Sequence, residues 1–218
     1  MADGLWAAVD GYIDAALVFQ DDALRHALAE TEKAGAPAIN VSPAQGKLLY
    51  LLAKLVNARR ILEIGALGGY SAIWMGSALP EGGRLVTIEH SWKYAALARA
   101  NIVYAGLSDK VEVVEGAGLD VLPALEGPFD LIFIDADKPN NPEYFRWAMK
   151  LCREGGAIVV DNVVRGGGVI DAENADSSVQ GVRRMNELIA REPRAEATAI
   201  QTVGAKGYDG FCLIRVAG

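Results

Sequence analysis

Arg60-Ile-Leu-Glu-Ile-Gly-Ala-Leu-Gly-Gly-Tyr-Ser71 begins as a short apolar run with the length and flanks of a buried parallel strand. Glu63 interrupts that run near its end. Gly65 closes it, and Gly68 and Gly69 let the backbone turn tightly. From Tyr70 the pattern becomes helical, with Ile73, Trp74, Ser77 and Ala78 three and four apart. Strand, glycine-rich turn and helix N-terminus together form a cradle of the nucleotide-binding kind.

The residues of the turn narrow the ligand. A dinucleotide fingerprint places glycine at its first, third and sixth positions, and here those are Gly65, Leu67 and Tyr70. Leu67 obstructs the close backbone approach that a pyrophosphate needs. Glu63 adds a carboxylate that repels phosphate and suits a cationic ligand. S-adenosylmethionine, with a sulfonium and an ammonium group and no phosphate, meets that description. The other reading of the turn is a βα corner that holds no ligand, since glycine is common there.

Outward from this stretch the chain alternates. Strands are expected at 61–64, 84–89, 111–115, 129–134 and 156–161, and helices at 70–79, 91–105, 119–125 and 142–153. Such spacing predicts an α/β fold with a parallel, doubly wound sheet, right-handed crossovers and helices on both faces. A helix over 179–191 and a hairpin formed by 195–203 and 211–216 follow, so a mostly parallel seven-stranded sheet ends in an antiparallel pair. Upstream, helices are expected at 5–19, from Asp21 and Asp22 to about 35, and at 43–57. The last of these opens on a capping box, Ser42-Pro43-Ala44-Gln45. The whole chain reads as one domain over 1–218, with 1–57 as a helical lid or dimer segment and 58–218 as the core.

The 218 residues are 51% hydrophobic and 22% charged, enough for one α/β domain with a sizeable core. A net charge of −7 argues against a basic nucleic-acid surface. No apolar run is long enough to span a bilayer, and the first residues lack a signal-peptide pattern, so no membrane partner is expected. Cys152 and Cys212 are the only cysteines, both in apolar contexts, which reads as buried thiols in a reducing, cytoplasmic setting. Two histidines, His26 and His90, are too few for a histidine metal site.

Chemistry collects at the strand ends. Glu89 ends the second strand, where an acid accepts hydrogen bonds from ribose hydroxyls. His90 and Trp92 follow it, and either cover an adenine ring or, for Trp92, pack against the core. The fourth strand ends in Asp135-Ala136-Asp137-Lys138 and the fifth in Asp161-Asn162. Asp135, Asp161 and Asn162 offer only oxygen ligands, a set that suits Mg²⁺ or another hard cation and not zinc. Hydrated strand-end acids without a metal are the alternative. Beside a divalent cation an ammonium group is disfavoured, so Lys138 could act as a base; otherwise it pairs with Asp137 or Glu143.

With these residues in place the sequence resembles the cation-dependent O-methyltransferases, closest to the caffeoyl-CoA O-methyltransferase-like group and more distantly to catechol O-methyltransferase. The resemblance runs from about Ile39 to Val216. It rests on Asn40-Val41 and Gly46, on Glu63-Ile64-Gly65 with Gly69-Tyr70-Ser71, on Glu89, on Glu115-Gly116-Ala117-Gly118, and on the two acidic motifs. It implies a Rossmann-like class I methyltransferase fold. It implies that Glu63, Gly65, Ser71 and Val41 hold the methionine portion of S-adenosylmethionine, Glu89 the ribose, and Ala117 or Gly118 the adenine. Asp135, Asp161 and Asn162 would bind Mg²⁺, with Asp135 also close to the methyl donor, and Lys138 would move the acceptor's proton. The acceptor would be a catechol-type small molecule and the protein a homodimer through its N-terminal helices.

Two stretches depart from the family pattern. The loop after Asn162 reads Val163-Val164-Arg165-Gly166-Gly167-Gly168, without the tryptophan of plant caffeoyl-CoA enzymes. The turn from Val203 to Gly210 looks longer than the usual Gly-Asp-Gly. Both would border the acceptor pocket, which leaves a smaller catechol, a flavonoid or another secondary metabolite as acceptor. A NAD-dependent dehydrogenase shares the sheet type but fails at Leu67 and Tyr70. A non-catalytic nucleoside-binding protein of the same fold is the remaining alternative.

Overall fold

The fold is described by a computed structural model covering residues 2–218, with side chains from Gly4 onward. Three helices, Ala2–Leu17 (α1), Asp22–Lys33 (α2) and Pro43–Leu55 (α3), precede Arg60–Ile64 (β1). Then come Tyr70–Ala78 (α4), Arg84–Glu89 (β2), Trp92–Tyr104 (α5), Val111–Glu115 (β3), Gly118–Val121 (α6) and Phe129–Ile134 (β4). Asn141–Leu151 (α7), Cys152–Asp161 (β5), Ser177–Arg191 (α8), Ala195–Gly204 (β6) and Gly207–Val216 (β7) complete the chain.

The seven strands form one sheet in the order β3-β2-β1-β4-β5-β7-β6. The first five are parallel, and β7 runs antiparallel to both β5 and β6. In β1 and β4 both faces are apolar, so alternate residues feed two cores. Ile61, Leu131 and Phe133 join Leu49, Tyr70, Trp74 and Leu85 beneath the N-terminal helices, α4 and α5. Leu62, Ile132 and Ile134 join Phe145, Val182, Met185 and Ile214 beneath α7 and α8.

Helix starts follow local chemistry. Asp21 caps α2, accepting from the Leu24 N–H at 3.0 Å, and Ser42 caps α3, accepting from the Gln45 N–H at 3.2 Å. Pro43 at the first helical position needs no N–H partner. The N-terminal helices then pack α3 on α4, α2 on α4 and α5, and α1 on β6.

Three expectations need correcting. The fifth strand starts at Cys152, not 156: the chain passes from α7 into the sheet without a loop, Cys152 pairs with Phe129, and the register then shifts to Leu131 opposite Ala157. The helix expected over 119–125 is a single turn, α6, continued as a 3₁₀ turn Leu122–Ala124 that contains Pro123. The stretch from Val203 to Gly210 is not a long turn. Both strands run through it, Gly204 pairs with Gly207, and Ala205-Lys206 is a two-residue hairpin turn.

Candidate active site

The carboxyl ends of β1, β2, β4 and β5 open on a cavity of about 870 Å³. It lies where the strand order reverses between β1 and β4, the usual ligand crevice of such sheets. The turn after β1 is built for close approach. Gly65 takes φ 103, and a Cβ there would lie 2.2 Å from the Asp135 carbonyl oxygen. Leu67 also sits in the left-handed region, at φ 46.

The N–H groups of this turn are already engaged. Those of Ala66 and Leu67 donate to Glu89 Oε2 at 3.2 and 2.8 Å, and Ser91 N–H donates to Oε1 at 2.8 Å. A pyrophosphate would need those same N–H groups, so a carboxylate of the chain itself occupies the place of the phosphate. Glu89 lines the cavity and keeps acceptor capacity on Oε1.

Glu63 does not line the cavity. It lies fully buried behind the turn, where its oxygens accept from Ser71 Oγ and Thr87 Oγ1, each at 2.5 Å. Burial pushes its carboxyl up to about 7, against the two hydroxyl hydrogen bonds, and the Asp135 and Glu89 carboxylates add to the shift. Ser71 does face the cavity, so Glu63 meets any ligand through that hydroxyl. Thr87 carries no local motif of its own. Its signal is a polar residue in an apolar strand, in register with Glu63.

Lys138 is 7% exposed, and its Nζ donates to Asp135 Oδ1 at 2.8 Å. It pairs with neither Asp137 nor Glu143: Asp137 accepts from Tyr144 Oη and Asn140 Nδ2, both at 2.6 Å, and Glu143 pairs with Arg146. Asp161 is buried beside this pair, accepting from the Asn162 N–H at 2.9 Å. Burial pushes Asp161 up to about 6, the Asp135 carboxylate adds to that, and Lys138 and Gln45 act against it. Asp135, Lys138 and Asn162 line the cavity, and Asp161 stands behind them. Among the described residues no three His, Cys, Asp or Glu side chains converge as a metal cluster. The oxygen set here is two carboxylates and one amide. Asp161, buried, and Asp135, half-buried on the cavity wall, repel each other and are nonetheless a fit for a hard divalent cation.

The other wall carries Val41 with Asn40, from the segment between α2 and α3, and Ala117 and Gly118 after β3. Gly118 is required by contact: a Cβ there would lie 2.9 Å from Tyr144 Cε1. Tyr144 lines the cavity, and no local motif announces it. His90 lines the cavity, but Trp92 is 73% exposed and neither covers the site nor joins the core. Thr31, which also lines the cavity, and Asn101 brace the turn. Thr31 packs against Gly68, and Asn101 Nδ2 donates to the Gly68 carbonyl at 2.9 Å.

Residues 15–216 match the O-methyltransferase family. The chain belongs to that family. Two relatives named catechol O-methyltransferase are similar almost end to end. The Niastella koreensis protein is 49% identical over 217 residues, 98% of each chain. The Mycobacterium tuberculosis protein is 52% identical over 209 residues, 95% of this chain and 94% of that one. The solved O-methyltransferase from Bacillus cereus in complex with SAH is 54% identical, with TM-score 0.96 over 98% and 99% of the two chains. One from Streptomyces achromogenes, involved in tomaymycin synthesis and in complex with SAM, is 50% identical, with TM-score 0.97 over both whole chains.

This O-methyltransferase is therefore an S-adenosylmethionine-dependent enzyme, and the dehydrogenase alternative falls. Its cavity agrees with that donor at the turn, where Glu89 excludes a pyrophosphate and leaves room for a ligand whose charge is positive. No helix among the described residues is long and apolar enough to cross a membrane. Cys152 and Cys212 are free and buried, with thiols pushed up to about 12 and 11 by burial, so neither is a nucleophile.

Proposed function

We propose that this O-methyltransferase methylates one hydroxyl of a catechol-type aromatic acceptor and uses a hard divalent cation such as Mg²⁺. The observation that carries the reading is the cluster of Asp135, Lys138, Asp161 and Asn162 at the end of the donor cavity, in which Lys138 and Asp161 are buried and Lys138 Nζ lies 2.8 Å from Asp135. The names of the two catechol O-methyltransferase relatives support the acceptor class.

In this reading Ser71 and Val41 hold the methionine portion of the donor, and Glu63 fixes the Ser71 hydroxyl. Glu89 accepts from the ribose, and Ala117 and Gly118 border the adenine. Asp135, Asp161 and Asn162 would hold the cation, whose Lewis acidity would lower the pKa of a vicinal hydroxyl. Lys138 would take that hydroxyl's proton at Nζ once its ammonium had lost a proton to solvent, which a neighbouring divalent charge would favour. Its burial and its ion pair with Asp135 fix where Nζ sits on the cavity wall, which orients the base toward a bound acceptor. Residues 36–42 form the lid, since Pro37, Ile39, Asn40 and Val41 all line the cavity.

Methyl transfer from S-adenosylmethionine to a panel of catechols, with Mg²⁺ and then with EDTA, tests this. Product that disappears in EDTA is the expected result. Product that persists in EDTA would overturn the metal role, and no product on any catechol would overturn the acceptor class. We also propose a homodimer, because α1 leaves Leu5, Val9, Tyr12 and Leu17 exposed, and Phe19 beyond it. Light scattering that gives a monomer mass at micromolar concentration would refute it.

A further inference from the structure

The loop after Asn162 carries a cation with no task in the reading above. Arg165 lies three residues past Asn162 and lines the same cavity as Asn162, Lys138 and Ser178. Its Nε is buried and has no hydrogen-bond partner among the described residues. A buried guanidinium donor without an acceptor is costly, so its presence in a cavity wall asks for a ligand.

Two carboxylates, Asp209 and Asp176, stand near it, and neither accepts from Nε. Asp209 Oδ2 is 3.9 Å from Arg165 Nη1, a long ion pair. Its Oδ1 accepts from the backbone N–H groups of Val164, Arg165 and Gly210, at 2.9, 3.0 and 2.9 Å. Asp176 caps α8, accepting from the Ser178 N–H at 2.7 Å. Lys138 is paired with Asp135. The loop itself is held in place: Val163 N–H donates to the Gly210 carbonyl at 3.0 Å, and Arg165 is fixed in the left-handed region at φ 55. The guanidinium is thus displayed on a pinned backbone, with donors left over and a Ser178 hydroxyl on the same wall.

We infer that Arg165 selects the acceptor by binding a carboxylate carried on the catechol ring. The preferred substrates are then dihydroxyaryl acids, not neutral or cationic catechols. A guanidinium suits this because its planar fork matches a carboxylate in two parallel hydrogen bonds. The inference rests on the catechol reading and names the acceptor class within it.

Steady-state kinetics with 3,4-dihydroxybenzoate, 4-methylcatechol and 3,4-dihydroxybenzylamine test it, with Mg²⁺ present. The wild type should show the lowest KM for the acid and the highest for the amine. Arg165→Gln should raise KM for the acid about tenfold, as loss of a charge-assisted pair implies, and leave 4-methylcatechol within about twofold. Arg165→Lys should restore part of the loss. Calorimetry of 3,4-dihydroxybenzoate with the SAH-loaded protein should show the same order without turnover. Equal KM for all three catechols, or an equal loss on acid and neutral acceptor in Arg165→Gln, would overturn the role of Arg165. Should the variants fold poorly, salt decides on the wild type alone: KM for the acid must rise with ionic strength while that for 4-methylcatechol stays flat, and parallel behaviour overturns the inference. Turnover of none of the three would sink the catechol reading, and this inference with it.

Discussion

Replacing Glu63 by Gln should change how stability depends on pH, and the structure sets the size. The Glu63 carboxyl is fully buried and meets only two hydroxyls, those of Ser71 and Thr87. Its ordinary value of 4.5 rises to about 7, with burial as the first cause. A carboxyl raised by folding binds its proton more tightly in the native state. Its contribution to stability is therefore full below pH 4.5 and is lost as pH rises through about 7. Between pH 5 and pH 8 that loss amounts to about 2–3 kcal/mol. Gln has the same shape and no proton to lose. At pH 5, where native Glu63 is mostly protonated, the two proteins should unfold at similar urea concentrations. At pH 8 the variant should be the more stable by most of the 2–3 kcal/mol. The assay is urea denaturation of the donor-free protein in EDTA at pH 5, 6, 7 and 8. Asp161 also titrates in this range, but it is common to both proteins and cancels in the difference. A difference between variant and wild type that stays constant with pH would refute the reasoning, since it would mean that Glu63 is ionised throughout.

Lys138→Ala should lower kcat by about 10²–10³ while SAH binding by calorimetry changes only a few-fold; equal losses in both would refute the base assignment. Gly65→Ala should cost at least about 2 kcal/mol in urea denaturation, because φ 103 strains any side chain and the Cβ would meet the Asp135 carbonyl at 2.2 Å. A negligible cost would show that the turn can open. Tyr144→Phe removes one of the two hydrogen bonds that hold Asp137. Tyr144 and Asp137 both line the cavity, so the change should weaken SAH binding about five- to tenfold without lowering stability by more than about 1 kcal/mol, and unchanged affinity would mean that donor binding does not rely on this pair.

What the sequence disclosed, it disclosed through backbone constraint. The turn after β1 is legible because glycine at 65 and 69 is demanded by positive φ, and because the switch from strand to helical periodicity falls on Tyr70. The strand-end acids are legible because parallel strands bring their carboxyl ends to one edge. Trp92 is illegible for a reason of phase. Ala95, Ala98, Asn101 and Ile102 set the buried stripe of α5, and Trp92 falls outside it. The hairpin from Val203 to Gly210 reads as loop because glycine and charge are loop signals. At the sheet edge β6 has little to bury, and eight of its ten residues are exposed, so the pattern carries no strand signal. Tyr144 and Thr31 reach the site from helices far along the chain, and only packing reveals them. Glu63 is the subtler case. Its spacing in the motif suggests direct contact, but its strand parity points it away from the cavity and toward Thr87 on the neighbouring strand.

The choice of ligand at this kind of turn is made by which atoms already satisfy its N–H groups, more than by how many glycines it contains. A strand-turn-helix corner offers backbone donors that favour an anion. Here the last residue of β2 reaches back with its carboxylate and takes the donors of Ala66 and Leu67, which turns an anion site into one lined by negative charge. Asp135, Glu63 and Asp161 then stack further carboxylates behind it, close enough that Asp135 raises both of the others. Among the described residues Lys138 forms an ion pair with Asp135 alone. In the donor-free protein that clustering works against folding, which is why two of these carboxyls hold their protons toward neutral pH. The same clustering favours what the proposed reaction brings in: a sulfonium, an ammonium and a divalent cation. On the proposed reading, stability given up without ligands is recovered on binding, and the proposed preference for cations and the pH-sensitivity of the fold have one electrostatic origin.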